Sequence, residues 1–333
     1  MKAYQVTKYR KKNRLELVDI SIPNIKENEV LVEIHAAGVN LLDSMIKTGA
    51  FKIFLPYKLP VINGHDMAGK VIKVGSKIKS FKVGDEVYSR VSDFKIGTFA
   101  EYIAVNENNL AIKPKNISME EAASIPLVAL TVLQAFEKAN VKKGQKIFIQ
   151  AGSGGVGSIA IQIAKHIGAK VATTTGTSNL ELVKNLGADY IIDYKKEDFA
   201  NVLNDYDFVL HSNRDKVVLE KSLKILKPTG NLITLTGPPT LEFAKELNLP
   251  WYTKLLMKLL SASPKKLAKK LNVNFYFLFM KANGKQLAEI TQLIESDIVH
   301  PIIDKVYNFE QVNDAMAYVE TGRAKGKVVI KIK

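Results

Sequence analysis

The chain has 333 residues, 47% of them hydrophobic and 24% charged, and a formal net charge of +15. That length suits about two domains of ordinary globular composition. With no cysteine, disulfides and cysteine-based metal sites are excluded, a composition that fits a reducing cytoplasm.

Met1-Lys-Ala-Tyr-Gln-Val reads as a strand and not as a signal peptide, and no uninterrupted run of about 18 apolar residues offers a membrane span. Short β-like runs follow at 30–34, 70–74, 85–88 and 99–103, broken by glycine and proline. They predict a compact, barrel-like β domain. Helical pattern takes over at Ser118, where Ser118 and Glu121 have capping-box spacing.

From Gly144 strand and helix alternate. Strands are predicted at 146–150, 171–175, 190–193, 207–211, 231–236 and 275–280, with a helix at Asp215–Leu226 among those between them. This alternation implies a doubly wound parallel sheet, and six strands are what a full dinucleotide-binding fold needs. Gln150–Gly157 is the most informative stretch. It holds Gly152-Ser153-Gly154-Gly155-Val156-Gly157 between a strand-like run and a helix-like run, Ser158–Ile167, that Gly168 is placed to stop. Strand, glycine turn and helix together point to a dinucleotide. Gly152 permits a tight turn, Gly154 lets backbone approach a pyrophosphate, and Gly157 lets helix and strand pack closely; free N–H groups at the helix start face the phosphates.

An NAD-preferring site places an acid roughly 20 residues further on. No acid occurs between Gly152 and Leu180, and the second strand ends in Thr175-Gly176-Thr177-Ser178-Asn179. A small, hydroxyl-rich loop tolerates a 2′-phosphate, which favours NADPH over NADH.

The gap before the sixth strand holds Trp251–Leu260, apolar at 251, 255, 256 and 259 with lysines at 254 and 258. That spacing is a basic amphipathic helix. It reads either as a lid or packing helix or as a membrane-surface or partner helix. From Leu247 to Ala288 there is no acid and there are eight lysines, a field able to attract polyanions, anionic membranes or an anionic cofactor. Helices at Lys285–Glu295 and Phe309–Glu320 and a strand from Lys327 complete the chain, and this tail is expected to return to the first domain.

The order of β domain, dinucleotide domain and returning tail resembles the medium-chain dehydrogenase/reductase superfamily, within it the zinc-free quinone oxidoreductase and enone (alkenal) reductase branch. The residues that carry the likeness are Ala37-Gly-Val-Asn40-x-x-Asp43, Asn63-Gly-His-Asp-Met-Ala-Gly69, Val83-Gly-Asp-Glu-Val87, Gly97-Thr-Phe-Ala-Glu-Tyr102, Leu130-Thr-Val-Leu-Gln-Ala135, Ala151–Gly157, Leu186–Tyr194 and Gly326-Lys-Val-Val329. Their order and spacing span nearly the whole chain. The resemblance implies an α/β architecture: a GroES-like β-barrel catalytic domain from 1–122 and 284–333, and a Rossmann NADPH-binding domain from 123–283. Zinc members have cysteine where this chain has Asn40 and Gly-His-Glu where it has Gly64-His65-Asp66; His65 alone cannot build a three-ligand zinc site and is read as structural.

The implied activity is NADPH-dependent, zinc-independent hydride transfer to a quinone or to the C=C bond of an α,β-unsaturated carbonyl. By resemblance Asn40 sits near the nicotinamide, against the simpler reading of a buried turn asparagine. Thr131 meets the nicotinamide ribose, or is a core threonine bonding its own helix. Ser178 and Tyr194 surround the 2′-phosphate; either Lys195 or Lys196 supplies the basic residue that the loop lacks, or both are solvated surface charges, the simpler reading. Gly237 and Lys327 are further cofactor contacts, and Tyr57 is a candidate proton donor. Asp43 is expected to cap a helix at Ser44–Thr48. The sixth strand, 275–280, is an edge that pairs across a homodimer or packs within its own domain. No nucleic-acid partner is expected. A second reading makes the chain a catalytically silent NADPH-binding regulator, or a peripheral membrane or RNA-binding protein using 247–288.

Overall fold

The computed structural model describes residues 1–10, 13–53 and 55–333; Phe54 of the Tyr57 loop lies outside them. Two compact units are present, one of 1–130 with 281–333, the other of 131–280. The division falls inside one helix, at Leu130, and at Met280, where the sequence reading set it at 122 and 283.

The first unit opens with β1 (Lys2–Val6), β2 (Glu16–Asp19), β3 (Glu29–Val39), α1 (Leu41–Thr48), β4 (Val61–Ile62), β5 (Asp66–Val74), β6 (Glu86–Arg90), β7 (Tyr102–Asn106) and β8 (Leu110–Ile112). The predicted run at 99–103 is therefore displaced to 102–106. Helices α2 (Met119–Ala123) and α3 (Pro126–Ala139) follow. At the start of α2, Ser118 Oγ accepts from the Glu121 N–H at 3.1 Å and Glu121 Oε2 accepts from the Ser118 N–H at 2.8 Å. Two orphan donors of the first turn are thus satisfied reciprocally.

The second unit contributes β9 (Lys146–Ile149), α4 (Gly155–Ile167), β10 (Lys170–Thr175), α5 (Leu180–Asn185), β11 (Tyr190–Asp193), α6 (Phe199–Val202), β12 (Tyr206–His211), α7 (Lys216–Lys224), β13 (Leu226–Thr234), α8 (Leu241–Glu246), α9 (Trp251–Leu260), α10 (Ala262–Lys270) and β14 (Asn274–Phe277). Its six strands run in the order β11-β10-β9-β12-β13-β14, all parallel. This is the doubly wound order, reversing between β9 and β12. Strand β13 starts earlier than expected, at Leu226, and β14 stops earlier, at Phe277. Phe148, Ile192, Val209, Leu223 and Leu232 form its core.

The tail, α11 (Gly284–Glu295), β15 (Ile303–Asn308), α12 (Val312–Glu320) and β16 (Lys327–Lys331), belongs to the first unit. Strand β16 pairs antiparallel with β3, setting Val328 opposite Val39. The resulting sheet runs β15-β16-β3-β5-β6-β8, with β7 also on β3, beside a three-stranded sheet β2-β1-β4. The barrel-like domain thus takes the form of two sheets. Their cores are distinct clusters, one around Val30, Ile34, Met67 and Val87, the other around Tyr4, Val39, Met316 and Ile330. Among the described residues no helix is long and apolar enough to cross a membrane.

His211, at the end of β12, has no solvent exposure, and its Nδ1 lies 2.9 Å from Thr234 Oγ1 on the paired strand. Burial pulls its pKa from 6.5 down to about 4, so folding keeps the ring neutral. The unfolded chain then binds the extra proton between those values, and stability falls as pH drops through that window. We expect an acid loss of about 3 kcal/mol from this residue. Urea melts of His211→Gln between pH 7 and pH 4 should have a flatter profile than wild type.

Candidate functional site

Within the second unit the glycine turn links β9 to α4. Ala151 takes a left-handed φ of 53° to reverse the chain. A Cβ on Gly152 would stand 2.2 Å from Thr173 Oγ1, and one on Gly157 would stand 2.2 Å from the Ala151 carbonyl. Both positions are glycine because the turn, β10 and the helix start are in contact. Gly154 differs. A Cβ there would meet only the Ala151 oxygen, at 3.3 Å, so its bareness serves approach from outside the turn. Gly154 caps α4 in an extended conformation. The N–H groups of Gly155, Val156 and Gly157 then have no carbonyl one turn back and carry the positive end of the helix. Gly168, with φ 86°, ends the helix as expected.

The hydroxyl-rich loop after β10 folds against this turn. Thr175 Oγ1 donates to Ser153 Oγ at 3.0 Å, and Asn179 Nδ2 donates to the same oxygen at 3.2 Å. Both acceptor positions of Ser153 are filled, which leaves its own proton to donate. Ser178 is exposed, and Tyr194 is 62% exposed. The Tyr194 hydroxyl sits 3.3 Å from where a Gly176 Cβ would be.

Sequence reading missed Asp193 and Asn179. Asp193 comes from the end of β11 and accepts from Thr177 Oγ1 at 2.6 Å and from the Lys195 N–H at 3.1 Å. The Thr177 bond, the Lys195 N–H and the nearby Lys196 and Lys195 charges hold its carboxyl below the ordinary range. The loop carries no acid of its own, yet one reaches it from the neighbouring strand. A cleft of about 580 Å³ opens here at the C-terminal strand ends, lined among others by Ala151, Tyr194, Lys195, Lys196, Ser212 and Asn213. That is where open α/β sheets bind ligands. Lys195 and Lys196 are exposed, as surface charges are, and both line this cleft.

Gly237 donates its N–H to Thr234 Oγ1 at 2.8 Å, and a Cβ there would crowd that oxygen at 2.7 Å. Its expected cofactor contact is therefore not made by its N–H, which is used internally. Thr131 is buried in α3.

In the first unit a second cluster forms where β3, β5 and β16 meet. Asn40 ends β3 and caps α1; Asp43 Oδ2 accepts its N–H at 2.7 Å. The helix thus begins at Leu41 and not Ser44, with Asp43 in its first turn. Asp43 Oδ1 also holds His65 Nδ1 at 2.5 Å, both side chains fully buried. Asn40 Nδ2 donates to Asp66 Oδ2 at 2.9 Å, and the Leu127 N–H donates to Asp66 Oδ1 at 2.9 Å. Lys327 Nζ donates to Asn40 Oδ1, to the Val39 carbonyl at 3.3 Å and to Asp66 Oδ2 at 3.5 Å. An ammonium has three protons, so Lys327 is committed inside this unit, where it had been expected to reach a cofactor. Burial pushes the Asp66 carboxyl up, opposed by the Lys327 charge and the Asn40 bond. The network fixes the Asn40 carboxamide: its oxygen accepts from Lys327, one Nδ2 proton goes to Asp66, and the other remains to donate.

Tyr57 does not join this cluster. Its hydroxyl donates to the Asp93 carbonyl at 2.6 Å, and burial, then the Asp93 charge, pushes its pKa well up. A phenol so placed is a poor acid, which counts against Tyr57 as proton donor.

The donor set does not fit zinc. The chain has no cysteine, His65 Nδ1 is tied to Asp43, and the Asn40 oxygen faces an ammonium. Among the described residues no group of three or more His, Asp or Glu side chains could hold a metal ion.

A parallel dinucleotide sheet joined to a β unit by a returning tail, with an asparagine in the cysteine position, defines a metal-free oxidoreductase class. Family models place the chain in the wider superfamily: one described as an alcohol dehydrogenase GroES-like domain matches residues 26–115, and one described as a zinc-binding dehydrogenase matches 186–330. The 2-methylene-furan-3-one reductase of Solanum lycopersicum is 38% identical, over 99% of this chain and 79% of its own. An Arabidopsis thaliana chloroplastic NADPH-dependent alkenal/one oxidoreductase is 36% identical over the same shares. The solved quinone oxidoreductase from Coxiella burnetii superposes with a TM-score of 0.87 at 30% identity, covering 100% of this chain and 99% of that one. The chain belongs to the medium-chain dehydrogenase/reductase superfamily, in its zinc-free quinone oxidoreductase and enone reductase branch.

Removing the Lys327 ammonium should leave Asp66 buried without its counter-charge. Lys327→Met is expected to cost roughly 3 kcal/mol in urea or thermal unfolding. Lys327→Met with Asp66→Asn should recover most of that loss, because the uncompensated charge is gone.

Proposed function

We propose that this protein is an NADPH-dependent, zinc-independent oxidoreductase that transfers hydride to a quinone or to the C=C bond of an α,β-unsaturated carbonyl. The observation that carries the reading is the Asn40 carboxamide, clamped between Asp66 and Lys327 where zinc members keep a thiolate. Relatives whose names specify an enone-type reductase and an NADPH-dependent alkenal/one oxidoreductase support it. They disfavour the catalytically silent alternative.

The backbone N–H groups of Gly155–Gly157 take the pyrophosphate. Ser153, through its free proton, the exposed Ser178, and Tyr194, Lys195 and Lys196, which line the cleft, hold the 2′-phosphate. Thr131 is assigned to the nicotinamide ribose. The bound cofactor supplies a hydride to the β-carbon of the acceptor, which raises negative charge on its carbonyl oxygen. The free Nδ2 proton of Asn40 is oriented to stabilise that charge, its amide polarised by the Asp66 carboxyl on one side and the Lys327 ammonium on the other. With Tyr57 bonded to Asp93, water delivers the proton to the α-carbon.

Turnover of NADPH with a panel of enones, enals and quinones, unaffected by EDTA, tests the assignment. No turnover across the panel would sink it. Asn40→Ala should lower kcat roughly 10²-fold with little change in the NADPH KM. Lys195→Ala with Lys196→Ala should raise the NADPH KM about tenfold and leave the NADH KM unchanged, since about 1.4 kcal/mol of phosphate contact is lost.

A homodimer across the β14 edge is also part of the reading. Strand β14 ends the six-stranded sheet and so offers unpaired backbone groups. Aromatic side chains at its end are partly used at home: the Phe243 ring lies 5.1 Å from Phe277 of β14 and 5.3 Å from Phe279 just beyond it. The pairing therefore rests on main-chain bonds. A reducing, cytoplasmic setting is supported by the lack of cysteine alone.

A further inference from the structure

Helix α9 exposes more apolar surface than its unit needs for packing. At 100° per residue, Thr253 and Met257 share one seam, and these two alone are buried in α9. The far side of the helix presents Trp251, Tyr252, Leu255 and Leu259, and Leu256 and Leu260 continue this band back to the edge of the seam; all six are exposed, Trp251 by 76% and Leu259 by 65%. Contiguous apolar patches of this kind mark interaction surfaces. The packing reading thus explains the seam and leaves the band unexplained.

The band's flanks are cationic. Lys254 and Lys258 follow one edge of α9, and Lys266, Lys269 and Lys270 stand on α10. Lys265 is taken by Glu242 on α8. Between Leu247 and Ala288 the sequence holds no acid.

We propose that α9 and α10 form a docking surface for an anionic lipid bilayer, with the α9 band set into the headgroup boundary and the lysines on lipid phosphates and carboxylates. The residue types fit that interface, with aromatic rings at one end of the helix, leucines along it and lysines beside them. A second copy of this chain fits poorly. A two-fold contact places the same surface on both sides, and lysine flanks would then meet lysine flanks. The free edge of β14, where the dimer is proposed, is a separate surface. The docking surface belongs to an active reductase and does not depend on which acceptor it reduces.

Trp251 is the single tryptophan of the chain, so its fluorescence reports the band directly. Phosphatidylcholine vesicles containing phosphatidylserine should shift its emission to the blue and carry the protein down on sedimentation, and rising salt should release it. Pure phosphatidylcholine should do neither. Lys266→Glu with Lys269→Glu should weaken sedimentation with anionic vesicles roughly a hundredfold. Leu255→Ser with Leu259→Ser should abolish the blue shift, with melting temperature and NADPH turnover unchanged. No blue shift with anionic vesicles at low salt would overturn the proposal, as would equal binding to neutral vesicles. A dimer that falls to monomer in the leucine variant would overturn it too, since the band would then be a protein interface. The wild-type fluorescence decides the matter even if a variant fails to fold.

Discussion

The buried charge of Asp66 is the constraint around which the first unit is organised. A carboxyl with no access to water must find donors inside the protein, and its donors come from distant segments: Asn40, the Leu127 backbone and Lys327. Lys327 and Asn40 are 287 residues apart in the chain. They meet because β16 crosses back and lies antiparallel on β3. The return of the tail is therefore more than completion of a sheet. It brings the Lys327 ammonium to Asp66, and through it the orientation of the Asn40 amide.

The two units solve different problems with backbone and side chain. In the second, the proposed phosphate contacts are main-chain N–H groups, and bare positions at Gly152 and Gly157 let three pieces of chain crowd together. Side chains there tune the rim. In the first, a side-chain amide is held by neighbours on both ends, so little reorganisation remains when charge develops beside it. In the proposed reaction, rigid orientation of one weak donor takes the place that a metal ion fills in zinc members of the superfamily.

What could be read from the sequence was local. Hydrophobic period located the six strands of the second unit to within a few residues, apart from β13 and β14. Spacing of Ser118 and Glu121 gave a true capping box, and Gly168 a true helix end. The glycine turn declared itself because its chemistry is contained in eight consecutive residues. Features that failed to declare themselves depend on partners far away in sequence. Tyr57 carries no mark of its bond to the Asp93 carbonyl, and Lys327 none of its inward commitment. Asp193 escaped notice because it belongs to the next strand, where parallel pairing with Thr175 sets it beside the loop. The α9 helix was predicted at its true ends, but pattern alone could not say which apolar residues stay in water.

The missing cysteine has a meaning beyond metals. Enals, enones and quinones are electrophiles that alkylate thiolates, the strongest nucleophiles a protein carries at neutral pH. A chain that handles such molecules without a single sulfhydryl has no thiol for them to consume. Two of its five histidines, His65 and His211, are fully buried, and its lysines are mostly protonated. The side chain that such acceptors attack most readily is therefore missing from the protein proposed to reduce them.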